Sequence, residues 1–220
     1  MERRQPRSLT IVPVRKTAVS VTLVVLAIIW SMAGCQRTTA EQPPAPSIYA
    51  VGDSITEANS PDFPAGRYGS GSWVSHLAPE ITVVGGWARG GASTADMVAN
   101  VQEAPEGSVL VLLAGSNDIA ASLPFEETAA NLEAIVDKVA VEDVLVSAVP
   151  PRDMDPASVT RFNEELEDLA ESQGWEFTDP TSGIRNGDRY APGMTSDGIH
   201  PTEAAAAVLG ENRSEALLRS

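Results

Sequence analysis

The sequence predicts an α/β fold, a three-layer α/β/α sandwich built around a five-stranded parallel sheet. Five short apolar runs lack the polar alternation of half-exposed strands, which indicates strands that are buried on both faces. Amphipathic segments separate these runs, as crossover helices separate neighbouring parallel strands. Polar clusters follow the first three runs, at the strand ends where such sheets bind ligands. The pattern therefore predicts both the layers and the edge of the sheet that would carry a site.

The first half of the folded region contains three predicted strands and two predicted helices. The run SIYAVG (47–52) is continuous and apolar, and ITVVGG (81–86) and SVLVLLAG (108–115) have the same character. After the first run, SWVSHLAPE places its apolar residues at helical spacing. After the second, STADMVANVQE predicts a helix that is capped by Ser93 or Thr94.

The second half repeats the alternation. PFEETAANLEAIVDKVA has apolar residues on one face of a helix, and DVLVSAV (143–149) follows it as a fourth strand. A helix is predicted over 157–172, and WEFTD (175–179) is a short fifth strand. After an irregular stretch, the last segment predicts a terminal helix that begins with Pro201 in its first turn.

The N-terminal segment has the layout of an export signal. A basic start precedes the apolar run AVSVTLVVLAIIWSMAG, which ends in small residues before Cys35. This lone cysteine resembles that of a bacterial lipobox, which implies a signal peptide over 1–34 and lipid on Cys35. The alternative is an uncleaved anchor helix that ends in a cysteine. Both interpretations predict a protein outside the cytoplasm that is tethered to the membrane.

A proline-rich polar stretch, residues 35–46, is expected to be a flexible tether, and the domain is expected over 47–220. Residues 1–34 carry a net charge of +4 and the whole chain carries −15, which leaves −19 on the remainder. A domain this acidic repels phosphate backbones, so nucleic acid is excluded as a partner. We expect a monomer, and a single cysteine excludes an intramolecular disulfide.

The stretch GDSITEA, directly after the first strand, raises the question of what Ser54 does. A serine at this place is an ordinary helix cap, but it would also stand at a helix N-terminus, where developing negative charge is favoured. A serine nucleophile needs a base. His200 in SDGIHP is a candidate, with Asp197 one turn earlier to orient it. Read alone, Asp197 could equally cap a turn.

Acyl transfer also needs donors that are aimed at the developing oxyanion. The loop RGGAST supplies backbone amides at Gly90 and Gly91, and GSND supplies the side-chain amide of Asn117. Asn117 could equally be a turn residue and Asp118 a helix cap. The conjunction of a serine, a glycine loop, an asparagine and an Asp/His pair at successive strand ends favours a hydrolytic site.

GDSI, GGAST, GSND and DGIHP occur in the order of the four blocks of the SGNH (GDSL-type) hydrolase family, and the chain resembles that family over 47–220. The resemblance implies a flavodoxin-like sandwich and an esterase that needs no metal or organic cofactor. The family's glycine is placed at Gly91, with Gly90 as the alternative. The implied site comprises Ser54 as nucleophile, Asp197 and His200 completing the triad, and the amides of Ser54 and Gly91 with Asn117 as oxyanion donors.

The implied activity is hydrolysis of a small-molecule or glycan ester with a short acyl group such as acetyl. A transferase that moves the acyl group to a carbohydrate hydroxyl would use the same residues, and a surface binding protein would keep the pocket without the chemistry. Arg185, Arg189 and Tyr190 precede the Asp/His pair and could contact a polar substrate, or they could be solvated loop residues.

Overall fold

The structure, a computed structural model, describes residues 45–219 of the chain. The predicted signal peptide, Cys35 and the tether up to residue 44 lie outside the described residues. Pro46, predicted as the end of the tether, already belongs to the fold, because its carbonyl oxygen accepts a hydrogen bond from the Thr82 amide at 3.1 Å. None of the helices within 45–219 has the length and apolar character needed to cross a membrane.

As the sequence predicts, five parallel strands form the central sheet, and the structure places them in the order β2-β1-β3-β4-β5. The continuous apolar runs form these strands because both faces of each central strand are covered. The order reverses between β1 and β3, which creates the crevice where sheets of this type bind ligands. The strands are β1 (Ser47–Gly52), β2 (Thr82–Ala88), β3 (Ser108–Leu113), β4 (Asp143–Ser147) and β5 (Glu176–Thr178).

The crossover segments are helical, and a small antiparallel hairpin precedes the last helix. The helices are α1 (Ser54–Glu57), α2 (Thr94–Asn100), α3 (Ser116–Ala120), α4 (Phe125–Val139), α5 (Pro156–Gln173) and α6 (Glu203–Leu217), with a 3₁₀ helix at Trp73–His76 and the hairpin strands β6 (Arg185–Asn186) and β7 (Arg189–Tyr190).

Two predicted helices differ in the structure. SWVSHLAPE forms only the 3₁₀ turn, because Leu77 is extended and Pro79 disfavours helical backbone at the residue before it. The last helix begins two residues later than expected. Pro201 forms an isolated bridge with Thr195, and Thr202 caps α6 by accepting a hydrogen bond from the Ala205 amide at 3.4 Å.

Alternate residues of β1 enter two separate cores, one on each face of the sheet. Tyr49 and Val51 pack among side chains of α2, α4 and α5. Ile48 and Ala50 pack on the other face among side chains of the 3₁₀ helix and α6. This division establishes the three layers that the sequence predicts.

One charged side chain lies inside the second core. Arg213 on α6 is fully buried, and its guanidinium lies 4.6 Å from the centre of the Trp73 ring. It donates to the Ser147 hydroxyl at 2.7 Å and to the Leu209 carbonyl at 3.2 Å, whereas its Nε has no hydrogen-bond partner in the described chain. Burial lowers the pKa of this guanidinium to about 9. Arg213 therefore joins the last helix to the sheet and to the 3₁₀ helix.

Candidate active site

Ser54 is the first residue of α1, just beyond the carboxyl end of β1, an inner strand of the sheet. Asp53 caps this helix through a 2.9 Å hydrogen bond from the Ile55 amide to its Oδ1. Gly52 allows Thr56 and β3 to pack closely against this point of the chain, since a Cβ there would lie 2.1 Å from Thr56 Oγ1 and 2.8 Å from the Leu113 carbonyl oxygen. The Ser54 amide is one of the first amides of the helix, which have no partner within the helix itself.

The structure brings Ser54, His200 and Asp197 into one chain of hydrogen bonds. Ser54 Oγ lies 3.0 Å from His200 Nε2, and His200 Nδ1 lies 2.7 Å from Asp197 Oδ2. An ionised Asp197 can only accept, so Nδ1 carries the proton and Nε2 is left to accept from the serine. The imidazole is therefore held in the tautomer that a general base for Ser54 requires.

The Asp197 carboxyl is held in its charged form. Partial burial acts to raise its pKa, but hydrogen bonds from the His200 ring and from the amides of His200 and Ile199 lower the pKa well below its usual range. The two amides donate to Oδ1 at 2.8 and 2.9 Å, which leaves Oδ2 for the imidazole.

The turn that carries Asp197 and His200 is fastened to its surroundings by three contacts. The Tyr190 hydroxyl donates to the Ile199 carbonyl at 2.9 Å, and the Thr195 hydroxyl donates to the His200 carbonyl at 2.8 Å. From the loop after β4, the Asp153 amide donates to the Gly198 carbonyl at 2.8 Å. These contacts position the imidazole, although the His200 side chain is 47% exposed.

Asn117 lies on α3, beyond the end of β3, and its side chain faces the turn before Ser54. Its Nδ2 donates to the Ala92 carbonyl at 2.9 Å and makes a longer contact of 3.4 Å with Asp53 Oδ2. Asp53 is buried, and this burial raises the pKa of its carboxyl to about 6, opposed by the Ile55 amide and by His200. Asp53 thus contacts both the nucleophile's helix and the asparagine.

Of the two candidate glycines, Gly90 is the one that lies beside Ser54. A Cβ built on Gly90 would be 3.9 Å from Ser54 Cβ and 3.0 Å from Glu57 Oε2, whereas nothing lies within 4 Å of one built on Gly91. The Gly90 amide donates to Glu57 Oε2 at 2.7 Å. The sequence left Gly90 as the alternative. A Cβ on Gly90 and not one on Gly91 would lie within 4 Å of Ser54, but the one amide hydrogen of Gly90 is already donated to Glu57.

A cleft of about 330 Å³ opens beside Ser54 and His200. Its walls include Glu57, Asn59 and Gly90, so small and polar groups surround the serine. Within residues 45–219, no set of three His, Cys, Asp or Glu side chains is arranged to hold a metal ion.

The three loop residues that the sequence singled out as substrate contacts have internal partners instead. Arg185 pairs with Asp179 at 2.6 Å, and the Arg189 guanidinium donates to the Asp153 carbonyl. Tyr190 is buried, and its amide donates to Asp153 Oδ1 at 2.9 Å. The hairpin therefore supports the His200 turn.

Sequence reasoning missed Asp53, Glu57 and Asp153. Asp53 and Glu57 could have been found from their spacing to Ser54 in GDSITE. Asp53 directly precedes the serine, and Glu57 follows it by three residues, so one helical turn brings Glu57 to the same side. Asp153 gives no local signal, because its partners lie more than 30 residues away.

A sequence model of the GDSL-like Lipase/Acylhydrolase family matches residues 50–208. Comparison with curated proteins gives no match. Among solved structures, a member of the lipolytic protein G-D-S-L family from Veillonella parvula is 19% identical with a TM-score of 0.60, and the match covers 80% of this chain and 100% of that one.

Two further structures are similar. A GDSL-like lipase from Bacteroides thetaiotaomicron is 16% identical with a TM-score of 0.56, over 89% of this chain and 97% of that one. A carbohydrate esterase of family 3 from Talaromyces cellulolyticus is 14% identical with a TM-score of 0.55, over 79% and 97%. At these identities the likenesses show a shared fold.

Proposed function

The chain belongs to the GDSL-like lipase/acylhydrolase family, and from that premise we propose that it is a serine esterase for carboxylic esters with short acyl groups such as acetyl. The family supports an ester-hydrolysing activity. The observation that carries the assignment of residues is the chain of hydrogen bonds from Ser54 through His200 to Asp197, at 3.0 and 2.7 Å.

The proposed reaction is a two-step acyl transfer. His200 Nε2 takes the proton of Ser54 as Oγ attacks the ester carbonyl, and the carboxylate of Asp197 stabilises the imidazolium that forms. His200 then gives the proton to the departing alcohol. In the second step, water gives its proton to His200 and attacks the acyl-serine, and collapse of the tetrahedral intermediate releases the acid and restores the Ser54 hydroxyl.

The oxyanion is proposed to bind at the N-terminus of α1, where the Ser54 amide is available and the helix dipole favours negative charge. Asn117 would supply a side-chain amide hydrogen by turning it from the long 3.4 Å contact with Asp53 Oδ2 toward the oxyanion, while the other hydrogen stays on the Ala92 carbonyl. A glycine amide would be the third donor. We keep Gly91 as the proposed donor, because the Gly90 amide lies beside Ser54 but already donates its one hydrogen to Glu57 Oε2 at 2.7 Å.

The preference for short acyl groups is supported by the cleft. The polar side chains of Glu57 and Asn59 lie in its walls, which suits a short acyl group better than a long alkyl chain. His200 and Asp197 are about half exposed, which leaves room for a bulky alcohol portion such as a glycan.

The decisive experiment replaces the nucleophile. Ser54→Ala is expected to lower kcat for p-nitrophenyl acetate by at least about 10³-fold, because the acyl-enzyme cannot form. The matched control is Ser172→Ala, whose hydroxyl contacts only the Leu169 carbonyl on the exposed side of α5. A fluorophosphonate probe should label the wild type and the control but not the Ser54 variant. Undiminished turnover by Ser54→Ala would refute the assignment.

We also propose that the protein is exported as a lipid-anchored monomer, with acyl groups on Cys35. The support is the sequence of residues 1–35 alone. The intact mass of the protein from the membrane fraction tests this. A mature chain that begins at Cys35 with diacylglycerol is expected, and an unmodified cysteine would contradict it.

A further inference from the structure

Glu57 is a carboxylate in the wall of the cleft, and the proposed reaction gives it no role. It lies three residues after Ser54 on α1, so one helical turn brings it to the same side as the serine. Its Oε2 accepts the hydrogen bond of the Gly90 amide at 2.7 Å, and a Cβ on Gly90 would approach it to 3.0 Å. The side chain is thus fixed in place beside the nucleophile.

No basic side chain among the described residues neutralises Glu57. Arg89 is the nearest along the chain to Gly90, but its guanidinium pairs with Asp96 at 3.0 Å and lies 5.3 Å from the centre of the Trp87 ring. Among the described residues that line the cleft, the only other titratable side chain is His200. A second carboxylate, Glu203, accepts from the Ser70 hydroxyl at 3.0 Å, next to the cleft residue Gly71.

We propose that Glu57 determines substrate charge: it rejects esters that carry a negative group close to the scissile bond and accepts neutral ones. This inference rests on the proposed function, and it deepens that function by narrowing the substrate class. The expected substrates are neutral O-acylated molecules, including glycans without acidic sugars. Esters of uronic acids and half-esters of dicarboxylic acids are expected to be poor substrates.

The physical basis is repulsion between like charges in a partly desolvated cleft. An anionic substrate would bring its charge within several ångströms of a fixed carboxylate, with no described cation to compensate. The same carboxylate also repels the oxyanion, and it does so equally for every substrate. An absolute rate therefore reflects both this repulsion and the repulsion of a charged substrate. The ratio of the rates for an anionic and a neutral ester cancels the first effect and reports only the selection by substrate charge.

The test compares 4-nitrophenyl acetate with the mono-4-nitrophenyl ester of succinic acid, in the wild type and in Glu57→Gln. Glutamine keeps the length of the side chain and an oxygen that can accept from the Gly90 amide. The ratio of kcat/KM, anionic over neutral, is expected to rise about tenfold in Glu57→Gln at low ionic strength, and less at high salt. The matched control is Glu106→Gln, at the opposite edge of the sheet in the turn before β3. Its ratio should equal that of the wild type.

A second arm does not depend on turnover. In the Ser54→Ala background, binding of acetate and of neutral acetamide is followed through the Gly90 amide in ¹H–¹⁵N spectra. Glu57→Gln should tighten acetate binding about tenfold relative to acetamide. An unchanged acetate-to-acetamide ratio would overturn the inference, as would an unchanged ratio of kcat/KM. If the wild type hydrolyses neither ester, the proposed function fails, and this binding arm still decides the role of Glu57.

Discussion

Asp53 helps to position the residues of the site, and its buried carboxyl lowers the stability of the folded protein at neutral pH. Its carboxyl is buried beside Ser54, and the pKa raised from 3.8 to about 6 means that the folded protein holds the proton more tightly than the unfolded chain does. The stability linked to this group is therefore fully present below about pH 4, and it is lost as the pH rises through about 6.

Asp53→Asn is expected to raise the free energy of unfolding at pH 7 by up to about 3 kcal/mol, because the cost of a buried charge disappears. The gain should shrink toward zero at about pH 4. Activity should fall, because the new Oδ1 stays with the Ile55 amide and the new Nδ2 then faces Asn117 Nδ2, where two donors cannot pair. Urea unfolding at several pH values measures the first effect and kcat measures the second. A gain that does not depend on pH would contradict the explanation.

Two elements outside the four sequence motifs GDSI, GGAST, GSND and DGIHP hold the site together: the β6–β7 hairpin and helix α6. The hairpin reaches the His200 turn through the Tyr190 hydroxyl, which donates to the Ile199 carbonyl. Burial raises the pKa of Tyr190 above its usual value, so the hydroxyl remains a donor throughout any assay range.

Removing this hydroxyl by Tyr190→Phe is expected to lower kcat about three- to tenfold with little change in KM, since the imidazole is positioned less well while the cleft is unaltered. The aromatic ring still fills its buried site, so the melting temperature should fall only slightly. Steady-state kinetics with p-nitrophenyl acetate measure this. A rise in KM with an unchanged kcat would show that the hairpin acts on substrate binding instead.

Helix α6 is joined to the nucleophile's helix through a buried stack. Arg213 lies over Trp73, and the Trp73 indole donates to Thr56 Oγ1 of α1 at 3.1 Å. Arg213→Ala should cost about 2–5 kcal/mol of unfolding free energy by leaving a cavity. Arg213→Met fills much of that volume and removes the unpaired Nε, so its cost should stay below about 1.5 kcal/mol. Denaturant unfolding of both variants compares them, and equal losses would contradict this account.

At the scale of the whole molecule, the strong negative charge opposes the compact state. Residues 35–220 carry −19, and repulsion among these charges is screened by salt. Raising NaCl from about 0.01 to 0.5 M should increase the free energy of unfolding at pH 7 by about 1–2 kcal/mol. The increase should diminish near pH 4.5, where many carboxyls are protonated. An equal effect at both pH values would indicate a cause other than charge.

The layer order of the molecule could be predicted because buried parallel strands leave a distinct apolar pattern, as in SVLVLLAG of β3. The 3₁₀ turn at Trp73–His76 was less predictable, because a few residues at helical spacing do not reveal where the chain turns extended. Ser54 and His200 were expected to meet, and in the structure Ser54 Oγ lies 3.0 Å from His200 Nε2. The contact between Glu57 and Gly90 could not be predicted, since it depends on a loop approach between residues 33 positions apart.

The nucleophile and its base are separated by 146 positions along the chain. On the proposed mechanism, a ribosome must deliver almost the entire domain before the two can meet. An unfinished polypeptide that ends before His200 would carry the serine without its base. On that mechanism, the growing chain cannot cleave esters until His200 has been synthesised.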